Sequence, residues 1–475
     1  MLTYAKIRAL MVVGAVAVTS FAGLGAPGAA LASSAPASSA TAGTADHGRG
    51  DFLAPPMGWS SWSSLRGKIS ASIIEAQADS MHASLQRYGY QYVNIDAGWF
   101  SGVDQYGRQT WDPARFPGGI SAVAAYVHRL GLKLGLYLTP GIPAEAVAAN
   151  SPILGTPYRI SDIADTTVPG NTAGQGAARI DFSKPGATAY VQSQADLLAS
   201  WGVDYLKMDF VGPGGGRVKA DDRPDMAAWH AAIAKTGRPI HLELSNSLSF
   251  ADAATWEQNS NGWRIESDIE CYSRCPGKLT NWGQVLKRFN DVPKWVPFAG
   301  PGHWNDLDSL EVGGGTVDGL TADEKRTMVT LWSIESAPAL LGVDLTKLDP
   351  ADLPLITNRE VIAVDQAGRA GRPVSQAAAQ QVWFARGGGC GGLGGRDGRG
   401  GLGGLGGRDF TVALFNLGDT ASSVTANWSD LGLPAGSSAM VRDLWQYADL
   451  GRQVGGYSVT LAAHASMLLD VEGVG

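Results

Sequence analysis

Cysteine is scarce in this chain: 475 residues hold three, Cys271, Cys275 and Cys390. Two cysteines four apart, with no companion cluster of His or Cys, make a poor zinc signal, and no metal is expected. Positive charge is short as well. Asp and Glu number 44 against 37 Lys and Arg, a formal charge of −7 that argues against nucleic acid as a partner. Beyond the N-terminal segment no run of about eighteen apolar residues exists to span a bilayer. No Gly-rich phosphate loop follows Phe52 to Trp59, which counts against a doubly wound nucleotide-binding sheet. Charged residues make up only 17% and hydrophobic ones 44%, the balance of a folded chain rather than a disordered one.

The N-terminus carries Lys6 and Arg8, the apolar run Leu10 to Leu24, and small residues with Ala30 and Ala32 in an A-x-A arrangement. This pattern predicts a secretory signal over 1–32, cleaved after Ala32, and a secreted protein with no membrane attachment afterwards. Cleavage would remove two positive charges and no acidic ones, moving the formal charge from −7 to −9. Residues 33–50 are rich in Ala, Ser and Gly and read as a flexible linker. Export permits a disulfide between Cys271 and Cys275, which would close a small loop just past Asp268; Cys390 is left odd.

From Phe52 onward short apolar runs alternate with longer amphipathic ones. Tyr90 to Asp96 follows a helical stretch from Ser70 to Arg87, Lys133 to Leu138 follows one from Ile120 to Leu130, and Tyr205 to Phe210 follows one from Pro185 to Trp201. His241 to Ser245 and Trp263 to Asp268 continue the series. Repeated about eight times, this rhythm predicts a (β/α)8 TIM barrel over 51–371, with reactive groups at the carboxyl ends of its strands. Asp96, Asp209, Glu243 and Asp268 all occupy such ends. After Gly371 the runs become short and alternating, which predicts a C-terminal antiparallel β-sandwich over 372–475, interrupted by a Gly-rich loop at 387–407.

Two aspartates stand out. Lys207 and Asp209 are two apart, so a strand points both to one face, and a lysine beside an aspartate keeps it ionised. Arg264 and Asp268 are four apart, again on one face, with Glu266 and Glu270 adding acidic surroundings. One carboxylate held as an anion and a second in a more crowded acidic setting is the arrangement retaining glycoside hydrolysis uses, as nucleophile and acid/base. Fifteen tryptophans supply flat apolar faces suited to sugar rings.

As a set, PPMGWSSW (Pro55 to Trp62), YVNID (Tyr92 to Asp96), GLKLGLY (Gly131 to Tyr137), WGVDYLKMDF (Trp201 to Phe210), the Arg264 and Asp268 pair, and GPGHWNDLDSLEVG (Gly300 to Gly313) resemble glycoside hydrolase family 27. This is the α-galactosidase or melibiase group, and the motifs occur in its order. The resemblance implies Asp209 as nucleophile and Asp268 as acid/base. It also implies Trp59, Asp96, Tyr137, Lys207, Glu243, Arg264 and Asp308 as residues that line the sugar pocket or hold hydroxyls and catalytic carboxylates. Family chemistry uses no metal or organic cofactor, and its partners are oligosaccharide or polysaccharide substrates. One departure bears on substrate. Many members carry a second acidic residue after the first on the second strand, and here Asp96 is followed by Ala97. Losing a charged acceptor costs about 1.5 to 3 kcal/mol, enough to change which sugar is preferred. The same chemistry on an α-glucan or a pentopyranoside is therefore the alternative to galactose, and a carbohydrate-binding protein without turnover is a third reading.

Overall fold

The computed structural model describes residues 52–167, 176–215, 220–387 and 409–474. The predicted signal over 1–32, the linker over 33–50, Cys390 and all but the first residue of the Gly-rich loop lie outside the described residues.

Eight strands form one parallel sheet: β1 (Met57–Ser60), β2 (Tyr92–Ile95), β3 (Lys133–Leu138), β4 (Tyr205–Met208), β5 (His241–Leu244), β6 (Gly262–Arg264), β7 (Trp304–Asp306) and β8 (Ala339–Leu341). Their spatial order is β7-β6-β5-β4-β3-β2-β1-β8. The sheet curls until Leu310, four residues past β7, bridges Leu341 of β8 in parallel. There the Leu310 N–H donates to the Leu340 carbonyl at 2.8 Å and the Gly342 N–H to the Leu310 carbonyl at 3.2 Å. The result is the (β/α)8 barrel that the alternation predicts. Near-continuous apolar runs such as KLGLYL and YVNI are what strands covered on both faces require, and both are buried along almost their whole length.

The crossovers are helices α1 (Ala71–Ser84), α2 (Gly119–Arg129), α3 (Ala187–Trp201), α4 (Arg223–Thr236), α5 (Ala253–Asn259), α6 (Trp282–Trp295) and α7 (Ala322–Glu335), with α8 (Arg359–Gln366) after β8. On α2 the buried residues Ile120, Val123, Ala124 and Val127 follow the spacing of one helical face, turned onto the sheet. Starts are set by side chains that satisfy first-turn N–H groups. Thr321 and Glu324 form a reciprocal capping box at α7, and the Asn358 side chain accepts from the N–H groups of Glu360 and Val361 at α8. One glycine is dictated by close approach: a Cβ on Gly262 of β6 would run into the Glu243 carboxyl group on β5.

Eight further strands follow: β9 (Arg372–Pro373), β10 (Gln380–Arg386), β11 (Asp409–Asn416), β12 (Ser422–Asn427), β13 (Ser438–Asp443), β14 (Ala448–Val454), β15 (Gly456–Leu461) and β16 (Ser466–Val474). They form a six-stranded antiparallel sheet, β9-β10-β11-β16-β13-β14, and a two-stranded one, β12-β15. Phe384, Phe410, Val412, Val424, Trp428, Leu461 and Leu469 belong to one buried cluster drawing on both sheets. Trp383, Phe415, Leu444 and Leu468 instead belong to the core shared with the barrel. Polar ties cross the same boundary: the Asn358 amide donates to the Leu444 carbonyl at 2.9 Å, and the Trp445 indole N–H to the Thr330 hydroxyl at 3.0 Å.

Candidate active site

The carboxyl ends of the strands surround a cavity of about 220 Å³. Lys207 of β4 and Asp209, one residue beyond it, form one wall; Asp96 and Ala97 follow β2, and Tyr137 comes from β3. Arg264 ends β6, the loop after it brings Asp268, Glu270 and Tyr272, and Asp308 and Ser309 follow β7. Trp62, just past β1, completes the rim. Four non-glycine residues beyond strand ends adopt positive φ: Phe210 at 56°, Asn246 at 106°, Tyr272 at 48° and Asp308 at 78°. Each such conformation costs on the order of 1–3 kcal/mol, and Phe210, Tyr272 and Asp308 line the cavity.

Two buried cations answer most of the carboxylates in the cavity. The Lys207 ammonium pairs with Asp96 at 2.8 Å. Burial would favour neutral Lys207, but Asp96 and then Asp209 reverse that and push its pKa up. Burial raises the Tyr137 phenol too, reinforced by Asp209 and Asp96, so it stays a neutral donor. Arg264 is nearly inaccessible and holds two carboxylates, Asp268 at 2.6 Å and Asp308 at 3.2 Å. Asp308 also accepts the Ile269 N–H at 2.8 Å, which ties the loop after β7 to the one after β6.

Asp268 has both carboxylate oxygens engaged, Oδ1 by Arg264 and Oδ2 by the Tyr272 hydroxyl at 2.6 Å. Burial would raise its pKa, but the guanidinium and the phenol outweigh that and hold it down at about 2. Its acidic neighbours therefore do not govern its charge. Nor does Asp268 end a strand. The strand stops at Arg264, and the two meet because the following loop folds back.

Glu270 is the carboxyl that burial does raise, to about 7, with help from the charges of Asp308 and Asp268. It accepts from the Ser63 hydroxyl at 2.9 Å and lies 3.3 Å from Arg66. Asp268, Glu270 and Asp308 bring one oxygen each within 4.8 Å of one another. Arg264 answers two of those charges and Arg66 the third, so guanidinium groups do the neutralising that an ion would otherwise do. Glu266 turns away to Ser267, whose N–H and hydroxyl it accepts.

Two expected pocket residues stand elsewhere. Trp59 does not line the cavity; it is fully buried in β1, its indole N–H donating to the Val343 carbonyl at 2.7 Å. Trp62, three residues on and past the end of the strand, takes the exposed place. Glu243 is one residue short of the end of β5 and faces an inner cavity of about 20 Å³ that shares Asp96, Lys207, Asp308 and Ser309 with the larger one; its carboxyl lies 3.0 Å from His241. Burial raises its pKa strongly, and Asp306 adds to the effect. The remaining expected residues, Asp96, Tyr137, Lys207, Asp209, Arg264, Asp268 and Asp308, come together around the larger cavity. Tyr272 and Trp62 are lining residues that sequence reasoning did not single out. The Cys271 to Cys275 disulfide is present and encloses Tyr272.

Comparison with known proteins follows the same layout. Residues 54–149 and 174–367 match a family model described as Alpha galactosidase A, and residues 402–471 match the Alpha galactosidase C-terminal beta sandwich domain. An alpha-galactosidase of Cyamopsis tetragonoloba is 32% identical over 416 residues, 86% of this chain and 84% of that protein. One of Coffea arabica is 32% identical over 422 residues, 88% and 93% of the two chains. Among solved structures, a GH27 β-L-arabinopyranosidase from Geobacillus stearothermophilus superimposes with a TM-score of 0.77 at 30% identity, covering 88% of this chain and 96% of the other.

Proposed function

The chain belongs to glycoside hydrolase family 27, the α-galactosidase group of retaining glycosidases, and from that premise we propose that it removes terminal α-linked galactose from oligosaccharides, with Asp209 as nucleophile and Asp268 as acid/base. The observation that carries this reading is the meeting of Asp209, Asp268 and the Arg264 clamp around one cavity at the carboxyl end of the barrel. In the first step an Asp209 oxygen bonds to the anomeric carbon, the bond from that carbon to the leaving oxygen breaks, and the Asp268 proton passes to the leaving oxygen. In the second, Asp268 takes a proton from water, the water oxygen bonds to the anomeric carbon, and the ester to Asp209 breaks. Asp96, Lys207, Tyr137 and Asp308 are the groups we assign to the sugar hydroxyls. The Asp96 and Lys207 pair offers an acceptor and a donor side by side.

A second reading concerns the sugar. Ala97 lies in the cavity wall and offers no polar atom there beyond its backbone. β-L-Arabinopyranose is α-D-galactopyranose without its hydroxymethyl group, and a family relative of similar fold is a β-L-arabinopyranosidase. A panel of nitrophenyl glycosides decides: release from the α-galactoside above all others supports the first reading, and preference for the β-L-arabinopyranoside replaces it with the second. Secretion is the remaining part of the proposal, resting on Lys6, Arg8, the apolar run Leu10 to Leu24 and the small residues Ala30 and Ala32. A mature protein beginning at Ser33 in the culture medium is its test.

A further inference from the structure

To act as an acid, Asp268 must carry its proton on an oxygen turned to the substrate, and of the two groups that engage its oxygens one is better placed to make room. Arg264 is not that partner: it is 5% exposed, it also holds Asp308, and withdrawing it would strand a buried charge. Tyr272 is different in each respect. It is 39% exposed, it sits at a φ of 48° inside the short loop closed by Cys271 and Cys275, and its hydroxyl is the group on Oδ2. Trp62 donates its indole N–H to the same hydroxyl at 3.1 Å, and the Arg66 guanidinium lies over both rings, 5.3 Å from Trp62 and 4.6 Å from Tyr272.

We propose that Tyr272 is a positioning residue for the acid/base. Its hydroxyl holds Asp268 Oδ2 and yields that oxygen to the glycosidic oxygen of the substrate, so that the rim of Trp62, Arg66 and Tyr272 receives the leaving group. This rests on the assignment of Asp268 as acid/base. The exchange explains how a carboxylate that its partners keep ionised comes to carry a proton. Once the phenol leaves and the sugar covers the carboxyl, one support of the anion is gone, with Arg264 and Lys207 remaining, while its burial deepens, and both changes favour the protonated form. The other charges facing the pair are Lys207 from β4, Asp308 from the loop after β7, Arg66 from the loop after β1, and Glu270 from the same loop as Tyr272. None of them bonds Oδ2.

The test uses the intact protein and Tyr272→Phe, which keeps the ring and removes the hydroxyl. Carbodiimide labels protonated carboxyl groups, and peptide mass spectrometry reads the labelling of Asp268 as a function of pH without any substrate. Losing the phenol should move the Asp268 labelling curve up by about half a pH unit or more. The limb of kcat/KM governed by Asp268 should move the same way, and hydrolysis of a disaccharide with a poor leaving group should change more than that of a nitrophenyl glycoside. Identical labelling curves for parent and variant would overturn the proposal. Failure of the hydrolase reading shows itself separately, as an intact parent that releases no sugar from any glycoside while the labelling curves still report the hold of Tyr272 on Asp268.

Discussion

The Lys207 ammonium pairs at 2.8 Å with Asp96, which follows β2, and not with Asp209, its neighbour two residues along the same chain. Lys207 still feels Asp209 as its second negative charge, so one cation links the wall that receives the sugar to the group that attacks it. Lys207→Met should then damage both binding and turnover. Removing a charge-assisted bond of this kind costs about 1.5–3 kcal/mol, or about 10- to 150-fold in kcat/KM. Steady-state kinetics on the preferred glycoside will show it, and a change of less than threefold would remove Lys207 from the site.

Asp209→Asn should leave no measurable hydrolysis while sugar binding, read by calorimetry, persists. Asp268→Asn should retain part of its activity on nitrophenyl glycosides, whose leaving groups need little protonation, and lose about 10²- to 10⁴-fold on disaccharides. Added azide should restore turnover in the Asp268 variant, forming a glycosyl azide. If Glu270→Gln matches the Asp268 variant in loss and azide rescues it but not the Asp268 variant, the acid role belongs to Glu270.

Ala97→Asp restores a carboxylate beside Asp96. On the galactose reading, kcat/KM for the α-galactoside relative to the β-L-arabinopyranoside should rise by about tenfold, the worth of one charge-assisted contact. An unchanged ratio means that the side chain at 97 faces no hydroxyl of the sugar.

Trp59 and Trp62 separate stability from recognition. Trp59→Phe leaves the Val343 carbonyl without its donor and a small cavity in the core, and should cost about 1–3 kcal/mol in urea unfolding with KM unchanged. Trp62→Ala should do the reverse, raising KM with little effect on the unfolding midpoint.

Glu270 gives stability a pH dependence of known sign. Its folded pKa of about 7 lies above the ordinary range near 4.3, so the folded chain binds the proton more tightly than the unfolded one. Its contribution is therefore present below the unfolded value and is lost as pH rises through about 7. Glu270→Gln should remove on the order of 1–3 kcal/mol of that loss, seen as a smaller fall in unfolding free energy between pH 5 and pH 8. Parent and variant curves that stay parallel over that interval would contradict the assignment.

The barrel was legible wherever its strands are long enough to leave a pattern. Runs such as Lys133–Leu138 and Tyr205–Met208 are continuous apolar stretches between helical ones, because parallel strands are covered on both faces. β6 and β7 are three residues each, too short for any periodicity, so the chain from Trp263 to Asp268 read as strand although its second half is loop. That same loop explains Tyr272. A lone tyrosine beyond a strand has no sequence signature, and only the folding back of the chain brings it to Asp268. Trp59 and Glu243 went astray for a related reason: in a barrel a shift of two or three residues along a strand moves a side chain from the open end into the packed interior.

Between β7 and β8 the cylinder is held by the Leu310 to Leu341 bridge in place of a full ladder, and Asp308 and Ser309 lie directly beside that seam. The wall that carries Asp209 is laced on both sides by four-residue ladders. The two halves of the pocket are therefore fastened by different means: the attacking side is braced like a keel by backbone ladders, while the Asp308 side relies on side-chain ties to Arg264 and to the Ile269 N–H.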